Sequence, residues 1–296
     1  MIVIRVFVLF LMLSSHVVAD VCATDDNGVE LCLPGPAQRI VTLSPGATEL
    51  AFAAGAGEQV IAVVDYSDYP PEAEMLPNVG SHTRIDLEAL VALKPDLVVT
   101  WVSGNPVEQV TMLNQLGMAT FAIEPRTFEG VSSVLERLAS LAGTESEGYA
   151  EAARFRQGIA ALAKQYRGRE PVRVFYQVWD QPLMTINDEH LIGKVISLCG
   201  GQNIFGEMAR LVPRIGPEDV LAGDPEAILS GGTDEDGNSY TSLERWREFG
   251  AMAAVAADNL FIIPASPISR PTPRLLEGAR TICEKLDVAR AQLQKQ

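Results

Sequence analysis

Short apolar runs rich in β-branched residues alternate with helical patterns along most of this 296-residue chain. Strands are predicted at residues 40–43, 60–64, 96–100, 120–124, 172–178, 227–230 and 259–263. Helices are predicted at residues 48–54, 87–93, 107–116, 191–198, 217–222, 243–249 and 273–286. Because parallel strands need a crossover that is usually helical, this alternation predicts an α/β fold on parallel sheets. Ser44 followed by Pro45 is typical of a helix start.

A long helical segment separates the two halves of this pattern. Residues 144–166 contain no proline and are rich in Ala, Glu, Arg, Gln and Lys. Phe155, Ile159 and Leu162 recur at the helical period. A helix of about 23 residues is about 35 Å long, which is enough to cross from one domain to another. We therefore expect two α/β lobes joined stiffly by one helix.

The first 19 residues have the pattern of a secretory signal peptide. Arg5 precedes an apolar run at residues 6–13, and short side chains lead up to Ala19. The run is too short to span a bilayer. Asp20 and Val21 make Cys22 a poor site for lipid attachment. We expect cleavage after Ala19 and an exported, soluble chain that can form disulfides.

The cysteines indicate two disulfides. Cys22 and Cys32 flank a hairpin signal in which Gly28 can adopt a positive φ. A three-residue loop at 26–28 places Cys22 opposite Cys32, which leaves Cys199 to pair with Cys283. The chain then divides into a signal peptide (1–19), a disulfide hairpin (20–38), an N-terminal lobe (39–143), a bridging helix (144–167) and a C-terminal lobe (168–296).

Charge and motifs exclude several classes of function. The net charge of −15 argues against nucleic acid as a partner, because phosphate backbones are bound by Lys and Arg. The chain has no G-x-S-x-G, P-loop or H-E-x-x-H motif. We therefore expect no enzyme, no catalytic residues and no cofactor, although an exported α/β enzyme stays open as an alternative.

The histidines cannot build a metal site of their own. His82 and His190 remain once the signal peptide is removed. Two histidines without free cysteines do not make a zinc-type site, so no resident metal is predicted. Either imidazole is a surface or hydrogen-bonded group, or it serves as an axial ligand to a metal already held in a macrocycle.

One unit of sequence occurs in both halves. In each, a short helix with Glu88 or Glu218 near its start precedes an x-Pro-acidic turn and an apolar strand. The two glutamates are 130 residues apart (218 − 88). They are predicted to occupy equivalent positions on the two lobes, either as first-turn acids that complement the helix dipole or as two carboxylates for a two-fold symmetric partner.

Candidate ligand contacts follow the predicted strands. In parallel α/β lobes, ligands bind beyond the carboxyl ends of the strands. Aromatic and polar side chains in or near such positions suit a large organic ligand. They are Tyr66, His82, Trp101, Trp179, and a loop formed by Ser266, Pro267, Ile268, Ser269 and Arg270.

Several motifs resemble the periplasmic vitamin B12-binding proteins of ABC importers. They are RIVTLSP at 39–45, TELAFAAG at 48–55, YSDYPP at 66–71, LKPDLV at 93–98, CGGQNIF at 199–205 and PR at 273–274. The resemblance runs from about residue 39 to the C-terminal helix. It implies two Rossmann-like lobes with the ligand in the cleft, corrinoid contacts from Tyr66 and the 266–270 loop, and a Cys199–Cys283 disulfide.

The resemblance also gives the repeated glutamates a role. Similar proteins use one Glu in each lobe to dock on arginines of the permease dimer, which would be Glu88 and Glu218 here. Two features depart from the pattern: His82 and Val212 stand where similar proteins often have aromatics, and the Cys22–Cys32 hairpin is extra.

Together these features predict a monomeric periplasmic solute-binding protein that captures cobalamin or a related corrinoid and delivers it to an ABC importer. The alternatives are a ferric-siderophore or haem carrier.

Overall fold

A computed structural model describes residues 20–232 and 243–295. The predicted signal peptide lies outside the described residues. Within them, no helix combines the length and the apolar character that a membrane crossing requires.

The first half of the chain holds a two-stranded hairpin, a parallel sheet and its helices. In chain order the elements are β1 (Val21–Thr24), β2 (Glu30–Leu33), β3 (Ile40–Thr42), α1 (Pro45–Ala53), β4 (Val60–Ala62), β5 (Gly80–Ser81), β6 (Arg84–Ile85), α2 (Leu87–Ala92), β7 (Leu97–Trp101), α3 (Val107–Gln115), β8 (Thr120–Ile123), α4 (Phe128–Ala142) and the long helix α5 (Glu145–Tyr166).

The second half repeats the architecture. Its elements are β9 (Val172–Gln177), β10 (Trp179–Asp180), β11 (Leu183–Met184), α6 (Leu191–Leu198), β12 (Gly201–Asn203), α7 (Pro217–Gly223), β13 (Ala227–Gly232), α8 (Ala253–Ala256), β14 (Leu260–Pro264), α9 (Ala265–Ser269) and α10 (Leu275–Leu293). Short 3₁₀ turns occur at Gly57–Gln59, Pro71–Met75 and Glu244–Glu248.

The two main sheets have the same strand order. One sheet runs β4-β3-β7-β8 and the other β12-β9-β13-β14, with every neighbouring pair parallel. Numbered within each lobe, both orders are 2-1-3-4. The predicted two-lobed α/β fold is therefore confirmed, and β7 and β13, the strands of the sequence repeat, occupy the same place in their sheets.

The hairpin forms in the predicted register. Cys22 lies opposite Cys32 and is bonded to it. The Asp25 amide donates to the Val29 carbonyl at 2.9 Å, and Gly28 has a φ of +79°. The second disulfide joins Cys199 and Cys283, which ties α6 to α10.

Helix α5 joins the lobes through a continuous apolar core. Its buried side chains include Phe155, Ile159 and Leu162, which belong to a single cluster that contains core residues of both sheets. A Cβ at Gly148 would collide with Ala139 of α4, and one at Gly158 would collide with Leu276 of α10. Both glycines therefore allow close helix packing, which offsets their low helix propensity.

Several elements differ from the predicted ones. Helix α4 and strand β12 were not predicted, and α10 extends to Leu293 rather than 286. Residues 244–248 form a 3₁₀ turn instead of the predicted α-helix. The predicted 266–270 loop is wrong in form: most of it lies in helix α9, because the chain turns directly from β14 into a helical segment that packs on α10.

Candidate functional site

A cavity of about 270 Å³ lies at the carboxyl ends of the N-terminal sheet. Each strand contributes to it: Ser44 follows β3, Tyr66 follows β4, Trp101 ends β7 and Ile123 ends β8. The C-terminal lobe contributes Ser269, the last residue of α9, and Arg270 and Pro271 directly after it. The cavity therefore lies between the lobes, where the strand-end rule for parallel sheets places a ligand.

Arg270 connects the lobes at the cavity. Its guanidinium donates to Glu49 Oε1 at 2.8 Å, to Asp68 Oδ1 at 2.5 Å and to the Tyr66 carbonyl at 3.1 Å. Burial lowers the pKa of Arg270, but the hydrogen bonds to Asp68 and Glu49 outweigh burial, so that the pKa is raised above its ordinary value. Arg270 stays charged and is held by residues of the opposite lobe.

Glu49 is the anchor of this contact. Its side chain is 2% exposed in the middle of α1. Besides Arg270, it accepts hydrogen bonds from Thr272 Oγ1 at 2.8 Å and from the Arg274 guanidinium at 3.3 Å. Arg274 also lies over the Tyr69 ring, 3.9 Å from its centroid. These donors offset the desolvation of the buried carboxylate, and three of its contacts come from the opposite lobe.

Tyr66 has a strained backbone. Its φ is +65°, in the left-handed region, which costs a non-glycine residue about 1–2 kcal/mol. The hydrogen bond from Arg270 to its carbonyl helps to hold this conformation. The side chain is 75% exposed and reaches the cavity. An exposed ring held at a backbone cost is typical of a binding residue.

Asn105 organises the other aromatic wall. Its buried amide Nδ2 donates to the Leu43 carbonyl at 2.8 Å and to the His82 carbonyl at 3.0 Å, while its Oδ1 accepts from the Trp101 amide at 2.6 Å. One side chain thus fixes the backbone of three loops at the cavity. The rings of His82 and Trp101 lie 5.8 Å apart, and the absence of a Cβ at Gly104 makes room for the Trp101 indole.

The two histidines have different environments. His190 caps α6: its Nδ1 accepts from the Ile192 amide at 3.2 Å. Burial lowers the pKa of His190 to about 4, so the ring is neutral at pH 7. His82 lines the cavity, and its imidazole makes no hydrogen bond to the residues that the structure describes. Those residues also contain no cluster of His, Cys, Asp or Glu that could hold a metal ion.

The structure separates the other predicted ligand residues from the cavity. Trp179 is 41% exposed, with its Nε1 donating to the Gln181 carbonyl at 3.0 Å, and it does not line the cavity. Pro267 and Ile268 are buried, and Ile268 packs against Gly278 of α10. Ser266 does not line the cavity either. Of the predicted 266–270 segment, Ser269 and Arg270 reach it.

The two repeated glutamates lie on matching helices. Glu88 is the second residue of α2 and Glu218 the second residue of α7. Both side chains are exposed, and neither makes an ion pair with a described residue. Two exposed carboxylates therefore lie at equivalent positions in the two lobes.

Four residues of the site are not among the predicted ones: Glu49, Asn105, Thr272 and Arg274. Two of them carry a signal in the sequence: Glu49 is a charged residue in a largely apolar helix, and Arg274 belongs to the PR motif at 273–274. The sequence does not show which residues more than 220 positions apart are in contact. The contacts of Glu49 with Thr272 and Arg274 are therefore seen only in the folded structure.

A larger groove, about 510 Å³, lies between the hairpin and α3. It is lined by the edge strand β8 and by the end of the single strand β7, with Trp101 shared between the groove and the strand-end cavity. The strand-end cavity is therefore the better ligand site, because loops that follow several strands meet there.

Comparison with known proteins defines the class. The family model described as periplasmic binding protein matches residues 40–267. The chain belongs to this family. It is 36% identical to the vitamin B12-binding protein of Vibrio cholerae serotype O1 over 263 aligned residues. The alignment covers 88% of this chain and 94% of that relative.

Solved structures agree with this assignment. The periplasmic vitamin B12-binding protein BtuF of Vibrio cholerae superposes with a TM-score of 0.78 at 36% identity, covering 86% of this chain and 98% of that one. The periplasmic haem-binding protein HutB of Vibrio cholerae superposes with a TM-score of 0.73 at 23% identity, covering 84% and 98%. The second likeness is one of fold.

Proposed function

We propose that this protein captures cobalamin or a related corrinoid in the periplasm and delivers it to an ABC importer. The observation that carries the proposal is the cavity between the lobes, walled by Tyr66, His82 and Trp101 and bounded by Arg270. Flat aromatic faces and one fixed cation suit a large, partly apolar ring with polar amide edges. The relatives named as vitamin B12-binding proteins support the same ligand class.

The size of the cavity limits how the ligand is held. At about 270 Å³ it lies near the lower end of small-molecule pockets. A corrinoid would place part of its ring in the cavity and extend outward between the lobes. The continuous core along α5 and the Glu49 contacts then predict that the lobes close little when ligand binds.

Calorimetric titration of the purified protein with cyanocobalamin tests the proposal. We expect binding heat and a red colour that stays with the protein through gel filtration. Haemin and a ferric hydroxamate serve as competing probes. Absence of both heat and colour with cyanocobalamin and with cobinamide would refute the proposal.

The second candidate is a haem carrier, and His82 is the observation that favours it, since an unpaired imidazole suits haem iron. A ferric-siderophore carrier is less well supported, because Arg270 is the one cationic side chain among the described residues that line the cavity. Tight binding of haemin, seen in its absorbance spectrum, without cyanocobalamin binding would select haem. Turnover of the bound molecule would point instead to an exported enzyme.

For docking, we propose that Glu88 and Glu218 contact arginines of a permease dimer, one from each lobe. Their equivalent positions before β7 and β13 support this role. The double variant Glu88→Ala/Glu218→Ala should lose association with the permease in a pull-down and keep its cyanocobalamin affinity. The matched control is Glu74→Ala/Glu284→Ala, which removes the same charge from exposed positions. Equal association in both double variants would remove the docking role.

The proposed role requires export. Residues 1–19 would direct the chain to the periplasm and be removed, and the mature monomer would consist of the hairpin, two lobes and the bridging helix with the boundaries predicted above. Mass spectrometry of the protein from a periplasmic extract tests this, and a mature chain that begins near Asp20 is expected.

A further inference from the structure

We infer that the His82 imidazole is an axial ligand to the metal at the centre of the bound chelate, so that the preferred cargo is a corrinoid with one exchangeable axial position. This inference rests on the proposed function and deepens it. It begins from the difference between the two histidines of the described chain.

His190 is unsuited to this role. Its Nδ1 is occupied as the cap of α6, and burial holds the pKa of the ring at about 4. It also lies outside the cavity. His82 differs in position and in hydrogen bonding, since it lines the cavity and its ring makes no hydrogen bond to a described residue. A neutral imidazole with a free nitrogen is a common protein ligand for transition metals.

The backbone around His82 is prepared for this contact. Asn105 holds the His82 carbonyl at 3.0 Å and the Trp101 amide at 2.6 Å, which fixes the backbone of these two residues relative to each other. The Trp101 ring, 5.8 Å from the imidazole, forms an apolar face beside it. A planar macrocycle could rest on this face and present its metal to the imidazole.

The step is a ligand exchange. A nitrogen of neutral His82 donates its lone pair to cobalt(III), and the cobalt–nitrogen bond replaces a cobalt–oxygen bond to water. The water leaves as a neutral molecule, and cobalt keeps its oxidation state. Cobalamin with both axial positions filled cannot undergo this exchange without losing a ligand, whereas a cobinamide with bound water can.

The test uses cobinamide that carries one cyanide and one water on cobalt. On binding to the wild-type protein, its absorption bands should shift to those of the same cobinamide in excess free imidazole. His82→Ala should bind the cobinamide without the shift. His190→Asn is the matched control and should behave as wild type. His82→Phe, which keeps a ring at the position, provides a second variant without a ligating nitrogen.

Three results would overturn the inference. They are a wild-type protein that binds the cobinamide without a band shift, a shift that persists in both His82 variants, and a shift that disappears in His190→Asn. Parallel titrations with cyanocobalamin separate this inference from the proposed function. Cyanocobalamin binding without a cobinamide shift refutes the axial ligand alone, while failure of every corrinoid to bind refutes both.

Discussion

The two lobes have the same strand order but differ at the carboxyl ends of their strands. In the N-terminal lobe these ends open into the cavity, with Tyr66 and Trp101 at its wall. In the C-terminal lobe, within the described residues, the ends of β9 and β13 are tied together. Trp246 Nε1 donates to Gln177 Oε1 at 2.8 Å, and Ser230 Oγ donates to the Gln177 carbonyl at 2.9 Å.

This difference shows that strand order provides a place for a site and that side chains decide whether the place is used. Trp246 is fully buried and fills the C-terminal lobe, where its ring meets Phe175 edge to face at 5.6 Å. Trp101 stands at a strand end of the N-terminal lobe and is only partly buried. One indole stabilises a lobe, and the other faces a cavity.

The strongest test of the contrast is Trp246→Ala. Removal of a buried indole should lower the free energy of unfolding by about 3–5 kcal/mol, because it leaves a void in the core. Urea denaturation measures this loss. Cyanocobalamin affinity should be unchanged in the folded variant, and a large loss of affinity would place Trp246 in the site. Trp246→Phe keeps a ring and should lose less stability.

Glu49→Ala tests the contact between the lobes. The substitution leaves Arg270 and Arg274 without their buried carboxylate, and we expect a loss of about 3 kcal/mol in unfolding free energy. The matched control is Glu189→Ala, which breaks an exposed pair with Lys194 and should cost less than about 1 kcal/mol. Similar losses in the two variants would show that the Glu49 contacts add little.

Trp101→Ala tests the wall of the cavity. Loss of a large aromatic contact should weaken cyanocobalamin binding by about 2 kcal/mol, which calorimetry would detect as roughly a 30-fold rise in Kd. Trp179→Ala is the control from the other lobe and should change Kd little. If both variants weaken binding equally, the ligand bridges the two lobes and the contrast between them is smaller than the cavity suggests.

The smallest expected effect concerns His190 and pH. The folded ring has a pKa of about 4, while the unfolded ring titrates near 6.5, so between these values the unfolded state binds more protons. Stability should therefore be full above pH 7 and fall by about 1–2 kcal/mol on going to pH 5. Urea midpoints at the two pH values measure the loss.

His190→Asn should reduce this pH dependence, because asparagine can cap α6 without titrating. His82→Asn, which changes the histidine of the other lobe, should leave it in place. An unchanged pH profile in His190→Asn would show that other groups cause the effect.

Local signals predicted much of the fold. The Ser44 cap on α1, the hairpin with its disulfide and the long helix α5 all depend on contacts within a few residues or on helical periodicity. Helix α4 was missed although Thr127 caps its start and Gly143 ends it with a φ of +70°. The site was predicted less completely, because Arg270 meets Glu49 across 221 positions of the chain.

The sequence by itself determined the α/β class, the two similar halves and the family, because periodicity, helix caps and short motifs indicate them. Tertiary structure decided which strand ends are open, which histidine of the described residues makes no hydrogen bond through its ring, and which buried carboxylate joins the lobes. These properties depend on contacts between distant segments and on the volume left between them. Local sequence patterns predict neither these contacts nor this volume, because both arise only when the chain packs.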